Sequence, residues 1–188
     1  MFVAFDLPEM VREDIATWSE RELVDPALRR VVPESLHVTL AFLGNRPLAE
    51  VERIEEAMWE IAETPVLLQL QGPVGRPAGG RARLIALPVD SRPVEVRQRE
   101  LSEMLALEGL YKQEKRPFWP HVTVARVRAE GRGSRRPMPV KVPSGPSPTA
   151  GIGYFDAVRI SLYRSELQPE GARYVPMAQV ELPGAWQQ

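Results

Sequence analysis

Two stretches of this chain share one frame: His37-Val38-Thr39-Leu40 within "ESLHVTLAFLG" (residues 34–44) and His121-Val122-Thr123-Val124 within "FWPHVTVARV" (residues 118–127). They hold the only two histidines of the sequence. With five threonines in 188 residues, chance placement of a threonine two residues after both histidines is about (5/188)², on the order of one in a thousand. Around His37, Leu36, Val38, Leu40 and Phe42 alternate with His37, Thr39 and Ala41, the period of a half-buried strand, so histidine and threonine point the same way. The frames are 121 − 37 = 84 residues apart, and strand and helix patterns precede each, as in a diverged internal duplication. Such a repeat predicts an α+β fold of two pseudo-symmetric lobes, with antiparallel sheets flanking a central cleft and helices on the outer faces.

The rest of the chain fits that plan. "FVAFD" (residues 2–6) reads as a strand closed by Pro8, and Val11, Ile15 and Trp18 then recur at helical spacing. Leu48, Val51, Ile54, Met58 and Ile61 mark a second amphipathic helix, and a third is expected over 93–108. "PVLLQLQ" and "ARLIALPVD" read as strands joined by "GPVGRPAGG", which lacks the Lys-Ser/Thr sequel of a nucleotide-binding P-loop. Residues 128–148, rich in Arg and Pro, read as a loop with an edge strand near "MPVKV", and "FDAVRISLYRS" and "RYVPMAQVEL" as the closing strands. No flexible linker divides the chain, so residues 1–188 are expected to form a single bilobal domain.

Composition limits the chemistry. The formal net charge is −1, so no overall basic field draws the molecule to nucleic acid, and affinity for phosphates must come from a local patch. Absence of cysteine removes disulfides, thiolate metal sites and a Cys nucleophile. The N-terminal "MFVAFDLPEM" has no basic segment and soon meets Asp6, Pro8 and Glu9, unlike a secretory signal, and no apolar run is long enough to span a bilayer. A cytoplasmic monomer with no membrane partner is expected.

Two imidazoles facing each other across a cleft, each with a hydroxyl beside it, outline a phosphate-ester site. Displacement at phosphorus needs a base on the entering oxygen and an acid on the leaving one, roughly in line. Imidazole serves either role near neutrality. Threonine hydroxyls can hold the non-bridging oxygens that carry the transition-state charge. Thr39 and Thr123 also suit strands by β-propensity alone, and only their register with histidine singles them out.

The motifs "HVTLAFLG" and "PHVTVAR" resemble the paired His-x-Thr-hydrophobic motifs of the 2H phosphoesterase superfamily, in particular its RNA 2',3'-cyclic phosphodiesterase branch, historically called 2'-5' RNA ligases. "FVAFDLP", "ARLIALPV" and "LYRSELQPEGARYVPM" extend the resemblance over nearly the whole chain. It implies hydrolysis of an RNA 2',3'-cyclic phosphate to a 2'-phosphomonoester with no metal and no cofactor. His37 and His121 are carried over as catalytic, and Thr39 and Thr123 as phosphate-holding; the pseudo-symmetry of the frames allows either histidine to be the acid, and the resemblance favours His37 as the acid on the 3' leaving oxygen with His121 the base on water. Arg126 matches a basic position after the second motif. Simple alternation puts it on the face opposite His121, so it reaches a phosphate only if the strand ends or bulges there.

Two departures stand out. Ala41, expected on the face of His37, replaces a lysine or arginine common in the branch, and Trp119 stands where a basic residue is common before "PH". Phe118 and Trp119 suit either base stacking or core packing. Tyr163, beside Arg164 at a strand end, suits either substrate contact or packing. The run Arg126, Arg128, Arg132, Arg135, Arg136 and Lys141 is either an electrostatic footprint for RNA or a solvated loop. The expected partners are RNA with 2',3'-cyclic phosphate ends or small cyclic nucleotides. The alternatives are a 2'-5' ligase running the reverse reaction, or a non-catalytic RNA-end binding module.

Overall fold

The structure, a computed structural model, describes residues 1–78, 81–168 and 171–184. The chain runs β1 (Phe2–Asp6), α1 (Glu9–Glu22), β2 (Leu28–Arg30), β3 (His37–Phe42), α2 (Val51–Glu60), β4 (Leu67–Leu70), β5 (Val74–Arg76), β6 (Leu84–Asp90), α3 (Arg92–Leu107), β7 (His121–Val127), β8 (Phe155–Asp156), β9 (Arg159–Gln168) and β10 (Gly171–Glu181). Each helix forms where the apolar stripe recurs and buries that stripe: Val11, Ile15 and Trp18 on α1, Ile54 and Met58 on α2, Leu101 and Leu105 on α3. They pack with Val3, Phe5, Val38, Leu87 and Val122 from the strands in one hydrophobic cluster.

The strands form a ten-stranded sheet in the order β10-β9-β1-β3-β7-β6-β4-β8, with β2 beside β7 and β5 beside β6. All the strand pairings among the described residues are antiparallel. The two His strands lie at its centre and pair at Val38–Val122. That register sets His37 across from Thr123 and Thr39 across from His121, so the two frames meet about a pseudo-twofold axis.

Both His strands carry a bulge at the same place. Thr39 pairs with Ala4 and Ala41 with Val3, leaving Leu40 as the extra residue, while Thr123 pairs with Ala86 and Ala125 with Ile85, leaving Val124 as the extra one. Leu40 and Val124 are 124 − 40 = 84 residues apart, the same spacing as the histidines. The bulge overturns the alternation expected beyond Thr39. Ala41 turns into the core at 2% exposure, and Phe42 emerges on the side of His37 at 62%.

Two strands not read from the sequence appear, and one expected strand does not. β2 and β5, three residues each, carry too short a pattern to be read from sequence. The edge strand expected near "MPVKV" does not form. Pairing there is confined to one bridge, Ala129–Pro137, since Pro137, Pro139 and Pro143 offer no backbone donor to extend it.

Candidate active site

His37, Thr39, His121 and Thr123 emerge half-buried on one face of β3 and β7, with valines and leucines of the same strands turned into the core. Each imidazole is held in the same way. His37 Nδ1–H donates to the Ser35 carbonyl at 2.8 Å, and His121 Nδ1–H to the Trp119 carbonyl at 2.8 Å, in each case two residues back along the chain. With Nδ1 so engaged, the neutral ring presents an unprotonated Nε2. Thr39 Oγ1–H donates to Nε2 of His37 at 3.0 Å; Thr123 makes no matching bond among the described residues.

The walls of the two rings differ. His37 stacks on Phe2 at 4.9 Å between centroids and meets the edge of Tyr174 at 5.3 Å. His121 stacks on Trp119 at 4.1 Å, and the Arg76 guanidinium lies 4.3 Å from the Trp119 ring centroid. Trp119 therefore spends its π surface on protein partners, and Arg76 brings to this corner a positive charge absent from position 119. Phe118 packs partly against the core while lining the adjoining cavity.

Asp6 lies directly across from His37 in the β1–β3 register, yet its carboxylate is turned to β9. It accepts hydrogen bonds from Tyr163 Oη at 2.8 Å, Ser161 Oγ at 2.7 Å and Arg159 Nε at 3.0 Å. Burial, followed by the charge of Asp6, pushes the Tyr163 phenol up to about 12, so it stays a neutral donor. Tyr163 thus ties β9 to Asp6, with its ring 6.3 Å from that of His37.

Charge near the histidines is positive. Burial lowers His37 to about 4, and the neighbouring His121 and Arg126 add to the shift. His121 is also lowered, first by burial and then by Arg126 and Arg76. Arg126 bears on both rings because the Val124 bulge restores it to their side of the sheet, the condition its position in the sequence required. In the free protein both imidazoles are neutral near pH 7, and an anion between them raises both.

A cavity of about 550 Å³ opens from Thr39 and His121 between Phe42, Trp119, the 111–118 segment and the Gln98–Ser102 face of α3. Of the basic run, Arg126 alone faces the histidines by the β7 register; Arg136 pairs with Glu130 at 3.7 Å, and the rest of 128–148 is largely exposed. Among the described residues no three His, Asp or Glu side chains converge as a metal site, and no helix is long and apolar enough to cross a membrane. Sequence reasoning missed Phe42, Arg76, Asp6 and Tyr174. Three of them reach the site through a bulge or through strands distant in sequence, and only the alternation "FVAFD" marked Asp6 as facing away from Val3 and Phe5.

Comparison with known proteins agrees with this geometry. Residues 5–73, which include the first His frame, match the family model described as LigT like phosphoesterase. The RNA 2',3'-cyclic phosphodiesterase of Escherichia coli (strain K12) is 30% identical over 184 residues, covering 94% of this chain and 93% of that protein. A protein of the same name from Methanocaldococcus jannaschii is 27% identical over 175 residues, 93% of this chain and 95% of its own. A crystal structure of a Thermus thermophilus protein superposes with a TM-score of 0.81 at 27% identity, covering 97% of each chain. With the fold, the paired motifs and a relative matched along nearly its whole length in agreement, the chain belongs to the LigT-like phosphoesterases of the 2H superfamily.

Proposed function

We propose that the chain hydrolyses 2',3'-cyclic phosphate ends of RNA to 2'-phosphomonoesters, with His37 and His121 as acid and base and without a metal ion. The observation that carries this reading is the pair of unprotonated Nε2 atoms on one face of adjacent strands, that of His37 met only by the Thr39 hydroxyl, each ring fixed by a backbone carbonyl and each set across from the other frame's threonine. His121 takes a proton from water, the water oxygen bonds to phosphorus, the P–O3' bond breaks, and His37 gives its proton to O3'. Thr39, Thr123 and Arg126 donate to the non-bridging oxygens as charge builds there.

The acid role asks most of His37. At about 4 it is protonated in roughly one molecule per thousand at pH 7. The substrate's phosphate supplies the opposite charge that returns the proton. Phe118 and Phe42 offer apolar surface to the terminal base in the larger cavity, while Trp119 and Tyr163 hold the rings of the site in place.

Incubation with nucleoside 2',3'-cyclic phosphates, with and without EDTA, tests the reading. The expected product is the 2'-monophosphate at an unchanged rate under chelation. A 3'-monophosphate would reverse the leaving group, loss of rate restored by Mg²⁺ would overturn the metal-free mechanism, and binding without turnover would make the protein an RNA-end binding module. Joining of a 2',3'-cyclic end to a 5'-hydroxyl strand would reveal ligation, the same displacement run backward.

A further inference from the structure

β2 runs beside the end of β7 and sets Arg29 directly opposite Arg126. Side chains facing each other across an antiparallel pair share a face, with Cβ atoms about 5 Å apart, and like charges so placed repel. The bulge at Val124 turns Arg126 to the histidine side, and its cross-strand partner Arg29 goes with it. Neither guanidinium meets a carboxylate among the described residues; Glu130 is taken by Arg81 and Arg136, and Asp6 by Arg159. Two exposed, unanswered cations side by side are a site for an anion.

The pair lines a recess of about 90 Å³ together with Arg30, Ser35 and Tyr174. Ser35 is the residue whose carbonyl holds His37, and Tyr174 is the ring at its edge, so the recess adjoins the site from the His37 side. The larger cavity opens instead from His121 and Thr39. A volume far below the 300–1,000 Å³ of pockets that enclose a whole small molecule suits one charged group and no nucleobase.

We propose that Arg29, paired with Arg126 across β2 and β7, binds the internucleotide phosphate next to the cyclic end, and so selects oligonucleotides over mononucleoside cyclic phosphates. This rests on the phosphodiesterase reading for its substrate and deepens it. A mononucleoside cyclic phosphate has only the reacting phosphate. A dinucleotide ending in a cyclic phosphate has a second one, upstream of the reacting ribose, to occupy the recess while the terminal base lies in the larger cavity.

The experiment separates binding from turnover. Affinities for adenylyl-adenosine 2'-phosphate and adenosine 2'-monophosphate are measured by calorimetry, and kcat/KM for the corresponding cyclic phosphates, in wild type, Arg29→Gln, Arg29→Lys and Arg21→Gln. The dinucleotide is expected to bind more tightly to wild type, and Arg29→Gln to reduce that advantage about tenfold, the loss of one charge-assisted contact. The salt dependence of dinucleotide binding should fall by about one phosphate contact. Arg29→Lys should retain most of the advantage, and Arg21→Gln, which removes the same charge from the surface of α1, all of it. An equal dinucleotide advantage in wild type and Arg29→Gln would overturn the inference. Failure of wild type to turn over either cyclic phosphate would overturn the phosphodiesterase reading, and the binding ratios would still decide the role of Arg29.

Discussion

Each histidine donates Nδ1–H to a carbonyl of its own strand's approach, and the consequence is a pair of bases whose strength depends on what lies between them. Both pKa values are lowered, so in the free protein the form with one proton shared between the two rings is most populated below the ordinary histidine value of about 6.5 and is lost as pH rises. kcat/KM, which reports the free enzyme, should therefore be bell-shaped with an acidic optimum. kcat, which reports the complex, should peak at higher pH because bound phosphate raises both rings. Thr39 and Thr123 should separate within this scheme. In the mechanism proposed above, replacing either by Ala removes a donor to the developing phosphorane and should slow turnover by about 10² to 10³, by analogy with oxyanion-hole donors. Only Thr39→Ala also removes a hydrogen bond to the neutral form of His37, so it alone should move the acid limb of the kcat/KM profile upward. Parallel limbs in the two variants, or wild-type turnover in both, would count against these roles.

At the scale of elements, α3 shows how local chemistry supports the site from a distance. Ser91 accepts the Val94 N–H at 3.2 Å as the N-cap and donates its own hydroxyl to the Leu67 carbonyl at 2.6 Å, which fixes the start of α3 against the start of β4. Ser91→Ala loses the cap and leaves a carbonyl without its partner, at a cost of about 1–3 kcal/mol. A fall in Tm of about 5 °C should follow for a chain of this size, with the kcat of the folded protein retained. An unchanged melting curve would show that the cap is dispensable. The helices were legible because a stripe of ten or more residues repeats its period several times, and the central strands because His, Thr and the apolar residues alternate. The bulges were not. A single extra residue leaves no compositional mark in "HVTLAF" or "HVTVAR", so the faces of Phe42 and Arg126 follow only once Ala4 and Ala86 are seen opposite the threonines. β2 and β5 were hidden for a related reason. Three residues in a context rich in Arg, Pro or Gly acquire strand geometry from the neighbour they pair with.

The whole molecule joins its two halves in a way the 84-residue repeat did not reveal. The half-sheet behind His37, β10-β9-β1-β3, is made from both ends of the chain, and the half-sheet behind His121, β7-β6-β4-β8, from its middle. Asp6 shows the cost of dividing them. A carboxylate at 8% exposure is satisfied by three side chains more than 150 residues away, and without β9 it is a buried charge with no partner. The core runs through both halves, with Val38 and Val122 at the seam each fully buried. Such interleaving predicts that neither half is stable alone and that thermal unfolding is a single cooperative transition. Far-UV circular dichroism, the near-UV signal of the aromatic walls around the histidines, and residual activity after brief heating should share one midpoint. Loss of the aromatic signal and of activity well before the far-UV signal would mean that the His37 half-sheet opens independently. In that case the two frames would be separate units brought together at the Val38–Val122 pair, and the coupling of their proton affinities would disappear with the first transition.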